Sequence, residues 1–357
     1  MKNILKLWMV LFAFMFAASV ITSCTKENAK PAAASSSPKA DKIKPDSAKG
    51  GEILTLTGSG LGEIQSVVFE KGNVPAPFNT VFNTDNALLF RVPDTANGGK
   101  QNIIITNKIG KQILVEFNVI ALPVVSSVSN YNFTANTQIT IAGNNLGDVT
   151  SVKFLGANDA ITIVSQNKKE LVIKMPDDAT VDGAPLVITN STGPITTTQI
   201  FENMDKAFTI FTDGYHNNFG DASWGDGGKI YTTEAKSGTS SVGKTYAKGN
   251  WHQLGFGWND INKASFDYQY MTFWIKGASS DYDLYISTNA SAGGFASFND
   301  YDKIKVPAKV WTYFKIPLST LQLWSTANTW NQIGFRIQGP NDQDETFYID
   351  DLMFVKQ

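Results

Sequence analysis

A 15-residue phrase that occurs twice constrains this chain more than any other feature. Thr55–Phe69 (TLTGSGLGEIQSVVF) returns as Thr140–Phe154 (TIAGNNLGDVTSVKF). Val92-Pro93-Asp94 is answered by Met175-Pro176-Asp177. Ile105-Thr106-Asn107 with Gly110 is answered by Ile188-Thr189-Asn190 with Gly193. A repeat of this length means two copies of one supersecondary unit. Its glycines mark tight turns, because positive φ is cheap for Gly and tolerable for Asn but for few other residues. Between the turns run short alternating stretches such as Ile53–Thr57, Ala87–Val92 and Ile103–Thr106. Short alternating strands broken by regular turn signals predict β-sandwiches.

The remaining third has a different character. Trp is absent between Cys24 and Ser223 and then occurs seven times, at Trp224, Trp251, Trp258, Trp274, Trp311, Trp324 and Trp330; the eighth, Trp8, falls in an N-terminal leader. A core absorbs one or two such rings, and the surplus suggests a ligand with flat apolar faces, as a sugar ring has. Strand candidates here are Tyr270–Lys276, Asp283–Ser287, Trp311–Leu318, Gln332–Gln338 and Phe347–Phe354, with no useful amphipathic helix. They predict a second kind of β-sandwich, a jelly roll, and with the repeats an all-β chain.

Composition narrows the partners. The 30 basic and 32 acidic residues leave a charge of −2, or −4 without Lys2 and Lys6 of the leader. Two arginines, Arg91 and Arg336, cannot make a basic stripe, which argues against nucleic acid and strongly anionic polymers. One cysteine excludes an internal disulfide and a thiolate zinc cluster, and two histidines, His216 and His252, disfavour a His-rich metal site.

At the N-terminus, Lys2 and Lys6 precede an apolar stretch, Leu7–Val20, and then Ile21-Thr22-Ser23-Cys24. This fits a secretory signal over residues 1–23. Small residues directly before a lone cysteine resemble the bacterial lipoprotein box, which implies lipidation at Cys24. Several acyl chains at ~0.8 kcal/mol per buried CH₂ hold a protein durably on a membrane. Residues 24–43, rich in Lys, Ala, Ser and Pro, read as a flexible tether.

The G-x-x-L-G…V-x-F and I-T-N phrases resemble the Ig-like IPT/TIG domain over residues 44–121 and 122–203. Such domains most often serve as spacers, and neither copy holds a Trp or a His. In residues 204–357, Met271–Gly277 (MTFWIKG), Val310–Ser319 (VWTYFKIPLS) and Phe347–Leu352 (FYIDDL) resemble jelly-roll carbohydrate-binding modules. The whole arrangement resembles the surface glycan-binding lipoproteins of Bacteroidota. That resemblance implies a cell-surface, outer-membrane position beside a glycan importer and a neutral β-glycan ligand such as β-glucan or xyloglucan. It also implies a structural calcium held by Asp213 and Asp350, with Asp351 as the other choice; no cofactor is required for binding.

Strand alternation assigns sides. Phe273 and Ile275 suit a core, so Trp274 points away; Tyr285 points away from Leu284 and Ile286; Arg336 and Gln338 point away from Phe335 and Ile337. If these strands share a sheet, Trp274, Tyr285, Arg336 and Gln338 line one open face; otherwise a loop covers Trp274. Trp224, Trp251 and Trp258 lie in turn-rich, glycine-rich segments, where exposure is expected. Trp311 is expected in the core, Trp324 and Trp330 on either side, and His252 at the surface. Burying about 60 Å² of sugar face per ring at ~25 cal/mol/Å² gives ~1.5 kcal/mol. Three rings then reach near-millimolar affinity, before hydrogen bonds.

No G-x-S-x-G, H-E-x-x-H or phosphate-loop motif is present. Asp260, Asp267, Asp300 and Glu345 could in principle supply a glycosidase pair. The chain reads as a non-catalytic polysaccharide binder. The alternatives are an adhesin for a protein partner and, behind it, a glycoside hydrolase.

Overall fold

The computed structural model describes residues 33–339 and 341–357. Cys24, the expected signal peptide and the start of the expected tether lie outside the described residues. The chain divides into two compact units, one ending at Ala121 and one running from Leu122 to Gln357.

The first unit is a small sandwich. One sheet joins Lys39–Lys44, Ile53–Ser59 and Ala87–Arg91; the other joins Ser47–Lys49, Gln112–Ile120, Gly99–Asn107, Ile64–Phe69 and Val74–Pro75. Alternation sends Leu54, Leu56, Ile103, Ile105, Val115 and Phe117 into one core. The expected tether ends earlier than residue 43. Lys39–Lys44 is already a strand paired with Ile53–Ser59, because Ala40 and Ile43 pack on that core.

The second copy, within the second unit, uses the repeat in the same way. Gly58 and Gly143 occupy equivalent places where a neighbouring strand presses close. A Cβ would lie 2.1 Å from the Lys39 carbonyl oxygen in one copy and 1.7 Å from that of Val124 in the other. Gly60 and Asn145, also equivalent, both adopt positive φ. Leu61 and Leu146 follow them into the two cores. The repeated phrase is thus a strand, a close crossing, a left-handed turn and a core anchor.

The C-terminal domain is a sandwich of two antiparallel sheets. The front sheet runs Gly220–Asp221, Leu254–Asn262, Thr329–Ile337, Tyr282–Thr288, Lys303–Val306. The back sheet runs Lys229–Tyr231, Ser241–Tyr246, Glu345–Val355, Tyr270–Lys276, Trp311–Pro317, with Phe208–Phe211 paired to Glu345–Val355. Phe256 and Phe335 of the front sheet and Phe273, Phe347 and Phe354 of the back sheet interlock between them. Phe273 and Phe335 meet edge to face at 5.2 Å. Trp330 is fully buried in this core, and Trp324 packs at its margin with Nε1 donating to the Ile261 carbonyl.

The outer side of the back sheet is a joint with the second domain. Trp274 stacks on Tyr131, with ring centroids 5.9 Å apart and planes 7° from parallel. Its Nε1 donates to Asn130 Oδ1 at 2.8 Å, and Lys236 Nζ sits 4.2 Å from the ring centroid. Asp351 accepts from the side-chain amides of Asn130 and Asn132. Glu202, fully buried, pairs with Lys315 at 2.5 Å. Burial pushes the Glu202 carboxyl up, and the lysine only partly offsets it.

Candidate functional site

The front sheet turns a distinct surface outward. Leu254, Phe256, Ile333, Phe335, Leu284 and Ile286 point into the core, so Gly255, Gly334 and Ser287 form one outward row across three paired strands. Gly257 and Gln332 lie on one side of that row, and Arg336 and Tyr285 on the other. The glycines are there because other chain lies on them. A Cβ on Gly334 would fall 2.2 Å from Gln253 Cδ, and one on Gly255 2.4 Å from the Ala222 carbonyl oxygen. The edge segment ending at Trp224 continues the sheet, its backbone N–H donating to the Gln253 carbonyl.

Aromatic rings gather over this floor around Arg336. Its guanidinium carbon lies 4.9 Å from the Trp224 ring centroid, 5.5 Å from Trp251 and 5.6 Å from Phe298. Nη1 donates to the Phe295 carbonyl at 2.6 Å. Phe295 meets Trp224 edge to face at 5.4 Å, and Phe298 meets Tyr285 at 5.1 Å. Among the described residues no carboxylate pairs with Arg336. Burial lowers its pKa from the usual guanidinium value. The rings' negative faces therefore do the work a carboxylate would do elsewhere. The result is a rigid bracket that holds two indoles in place without leaving a net anion in the site.

Trp224 is 39% exposed, Trp251 50% and Trp258 64%. Trp258 sits where the strand Leu254–Asn262 bulges, between Gly257 and Ile261, and beside it Asn259 ties to the Asn217 carbonyl. From the Gln253 rung to Trp258 is five residues, about 16 Å along a strand. Beneath the rings, both amide atoms of Gln253, Ser287 Oγ and Arg336 Nε are buried with no hydrogen-bond partner among the described residues.

Several expectations need correction. Trp274 shares no sheet with Tyr285 and Arg336: its strand lies in the back sheet, and Tyr131 stacks on its ring with Lys236 Nζ over it, so it is 6% exposed and no part of the front face. Tyr285 and Arg336 do point outward, but each is under 10% exposed because the Phe295–Phe298 loop folds over them. Gln338 is exposed just beyond the strand that carries Arg336. Trp311 is not core; it stands half-buried on the outer side of the back sheet's edge strand. His252 is partly exposed, with Nδ1 3.1 Å from the Thr245 carbonyl oxygen.

Asp213 and Asp350, the residues expected to hold calcium, both accept hydrogen bonds from backbone N–H groups. Asp213 Oδ1 accepts from the backbone N–H groups of Thr239 and Ser240. Asp350 Oδ2 accepts from those of Lys236 and Ser237, and its Oδ1 from that of Asp351. Among the described residues no group of three or more His, Cys, Asp or Glu side chains is placed to hold a metal ion. Burial and the neighbouring Asp351 push the Asp350 carboxyl up to about 7. Of the four acids considered for hydrolysis, Asp267 and Asp300 pair with Lys356 and Lys303. Glu345 is held in a net with Ser279, Tyr282 and Gln343.

Gln253, Gln332, Ser287, Phe295 and Phe298 were not singled out in the sequence. The glycines inside two strands, Gly255 and Gly334, carried the signal, since an interior strand glycine marks close approach of other chain.

Comparison with known proteins fits this architecture. Residues 38–115 and 123–203 match the IPT/TIG domain, so the chain carries two IPT/TIG domains. Its fold is similar to that of the surface glycan-binding protein PbSGBP-B from Prevotella bryantii, at 18% identity and a TM-score of 0.55, covering 90% of this chain and 99% of that one. It is also similar to SGBP-B from a complex xyloglucan utilization locus in Bacteroides uniformis, at 17% identity and a TM-score of 0.43, covering 90% of this chain and all of the other. No curated protein matches the sequence.

Proposed function

We propose that this chain is a non-catalytic, cell-surface polysaccharide-binding protein. Its front face takes a neutral β-glycan, and the IPT/TIG domains carry that face away from the membrane. The observation that bears most weight is the exposure of Trp224, Trp251 and Trp258 along one sheet, two of them fixed by a cation with no acidic partner. Flat rings accept the C–H faces of pyranoses, and the absence of a basic groove among the described residues favours an uncharged polymer. Three rings at ~1.5 kcal/mol each give weak, reversible binding, suited to capture followed by release. That a protein of similar fold comes from a xyloglucan utilization locus supports xyloglucan or a related β-glucan as the first ligand to try. Lipidation at Cys24 would hold the protein on the outer membrane, where an importer would receive the polymer.

Affinity electrophoresis of the chain from Lys39 onward, in native gels containing xyloglucan, mixed-linkage β-glucan or mannan, tests the reading. Retardation by at least one is expected. Unchanged mobility in all three, or release of reducing sugar, would overturn it.

A further inference from the structure

The back sheet carries a second set of rings that the front-face reading does not use. On its last two strands the outward residues pair as Tyr270 with Pro317, Thr272 with Lys315, Trp274 with Tyr313, and Lys276 with Trp311. Rings therefore recur from Tyr270 to Trp311, over about 20 Å of strand. The middle of this row is spent on the joint: Trp274 and Tyr313 both contact Tyr131, and the Tyr313 hydroxyl donates to Asn132. The ends are not. Trp311 and Tyr270 are half-buried, and neither belongs to the core of the sandwich. Together with Tyr131 and the exposed Thr198 and Gln199 of the second domain, they line an open groove of about 700 Å³. That volume is within the range of ligand sites.

We propose that this groove is a second saccharide site, separate from the front face, which takes a neutral glycan chain. The proposal rests on the reading of the protein as a glycan binder. Three features point to an uncharged sugar rather than another occupant. The cation in the groove, Lys315, is neutralised by buried Glu202 and lies 4.6 Å from the Tyr270 ring centroid, which leaves no charge for an ionic ligand. Flat rings line the groove together with Thr198 and Gln199, whose hydroxyl and amide bond each other, so that rings and polar groups are both at hand for a pyranose. The groove is also a concavity of about 700 Å³, the form of a small-ligand site rather than of the broad patch a protein partner covers. Two sites on opposite faces would let one molecule hold two polymer strands, raising retention by avidity.

The test uses affinity electrophoresis in xyloglucan and in mixed-linkage β-glucan gels. It compares the wild-type chain, Trp251→Ala/Trp258→Ala, and that double variant with Trp311→Ala or, as a milder change outside every core, Gln199→Ala. Melting curves confirm that each variant is folded. In the double variant, a residual retardation several-fold weaker than wild type is expected, and either added substitution should reduce it further. Wild-type retardation with none in the double variant sinks the groove alone, as does residual retardation indifferent to both Trp311→Ala and Gln199→Ala. A wild-type chain that no glycan retards sinks the groove and the proposed function together.

Discussion

The two outer faces of the C-terminal sandwich are both rich in aromatic rings, yet they serve opposite ends. On the back face, Trp274 is covered by Tyr131 and Lys236, and its indole N–H is spent on Asn130. On the front face, Trp224 and Trp251 lean on Arg336 and remain open to water. The difference lies in what lies on the rings, not in the rings. A covered indole contributes its burial to folding; an open one keeps that free energy for a ligand. Counting tryptophans finds a domain that has something to do, but coverage decides which of them do it.

The sharpest way to break this contrast is Trp274→Ala. Removing a buried ring from the joint should cost about 3–5 kcal/mol of stability in the unit from Leu122 onward. Calorimetry should record that loss, while glycan affinity at the front face of the folded fraction stays within about twofold of wild type. A large loss of affinity in a well-folded Trp274→Ala protein would mean that the two faces are not separate.

The converse is Trp251→Ala/Trp258→Ala. Two open rings at ~1.5 kcal/mol each predict roughly 100-fold weaker binding of an oligosaccharide at the front face, read by titration. The melting temperature should hardly move, because neither ring is core. Equal loss of stability and affinity would refute the assignment of these rings to a ligand.

A smaller effect separates the faces by pH. The Asp350 carboxyl, on the back sheet beneath the Lys236–Ser237 turn, is raised to about 7 by burial and by Asp351. An unfolded aspartate titrates near 4. Between those values the native protein keeps a proton that the unfolded chain has released, so stability falls as pH rises through that window and levels off above it. Asp351 and Glu202, also raised by burial, act in the same direction. Melting temperature should drop by several degrees from pH 4 to pH 7, and Asp350→Asn should flatten that slope. Glycan binding, whose described residues include no raised carboxyl, should be nearly indifferent over the same range; a parallel fall in affinity would tie the front face to the joint.

Much of this could be read from order alone. Gly58 and Gly143 recur because a strand crosses too close for a Cβ, and Gly60 and Asn145 because the next turn needs positive φ. Both are local demands, so they leave a local trace. The five strand candidates of the last domain were legible for the same reason: alternation is a property of neighbouring residues, and Tyr270–Lys276 is a strand with those very bounds. Alternation also sent Trp274, Tyr285 and Arg336 away from the core, which the structure bears out.

What the order of residues could not decide was which outward side chains share a face. Sheet membership is set by pairing between strands far apart in the chain, and the strand Tyr270–Lys276 pairs with Glu345–Val355 and Trp311–Pro317 rather than with the strands of Tyr285 and Arg336. Nor could it foresee that Tyr131, more than a hundred residues earlier, would close over Trp274, or that Phe295 and Phe298 would fold over Arg336. Turn and strand preferences are paid out residue by residue along the backbone, whereas coverage of a ring by another segment is a contact between distant parts, and only the packed molecule brings those parts together.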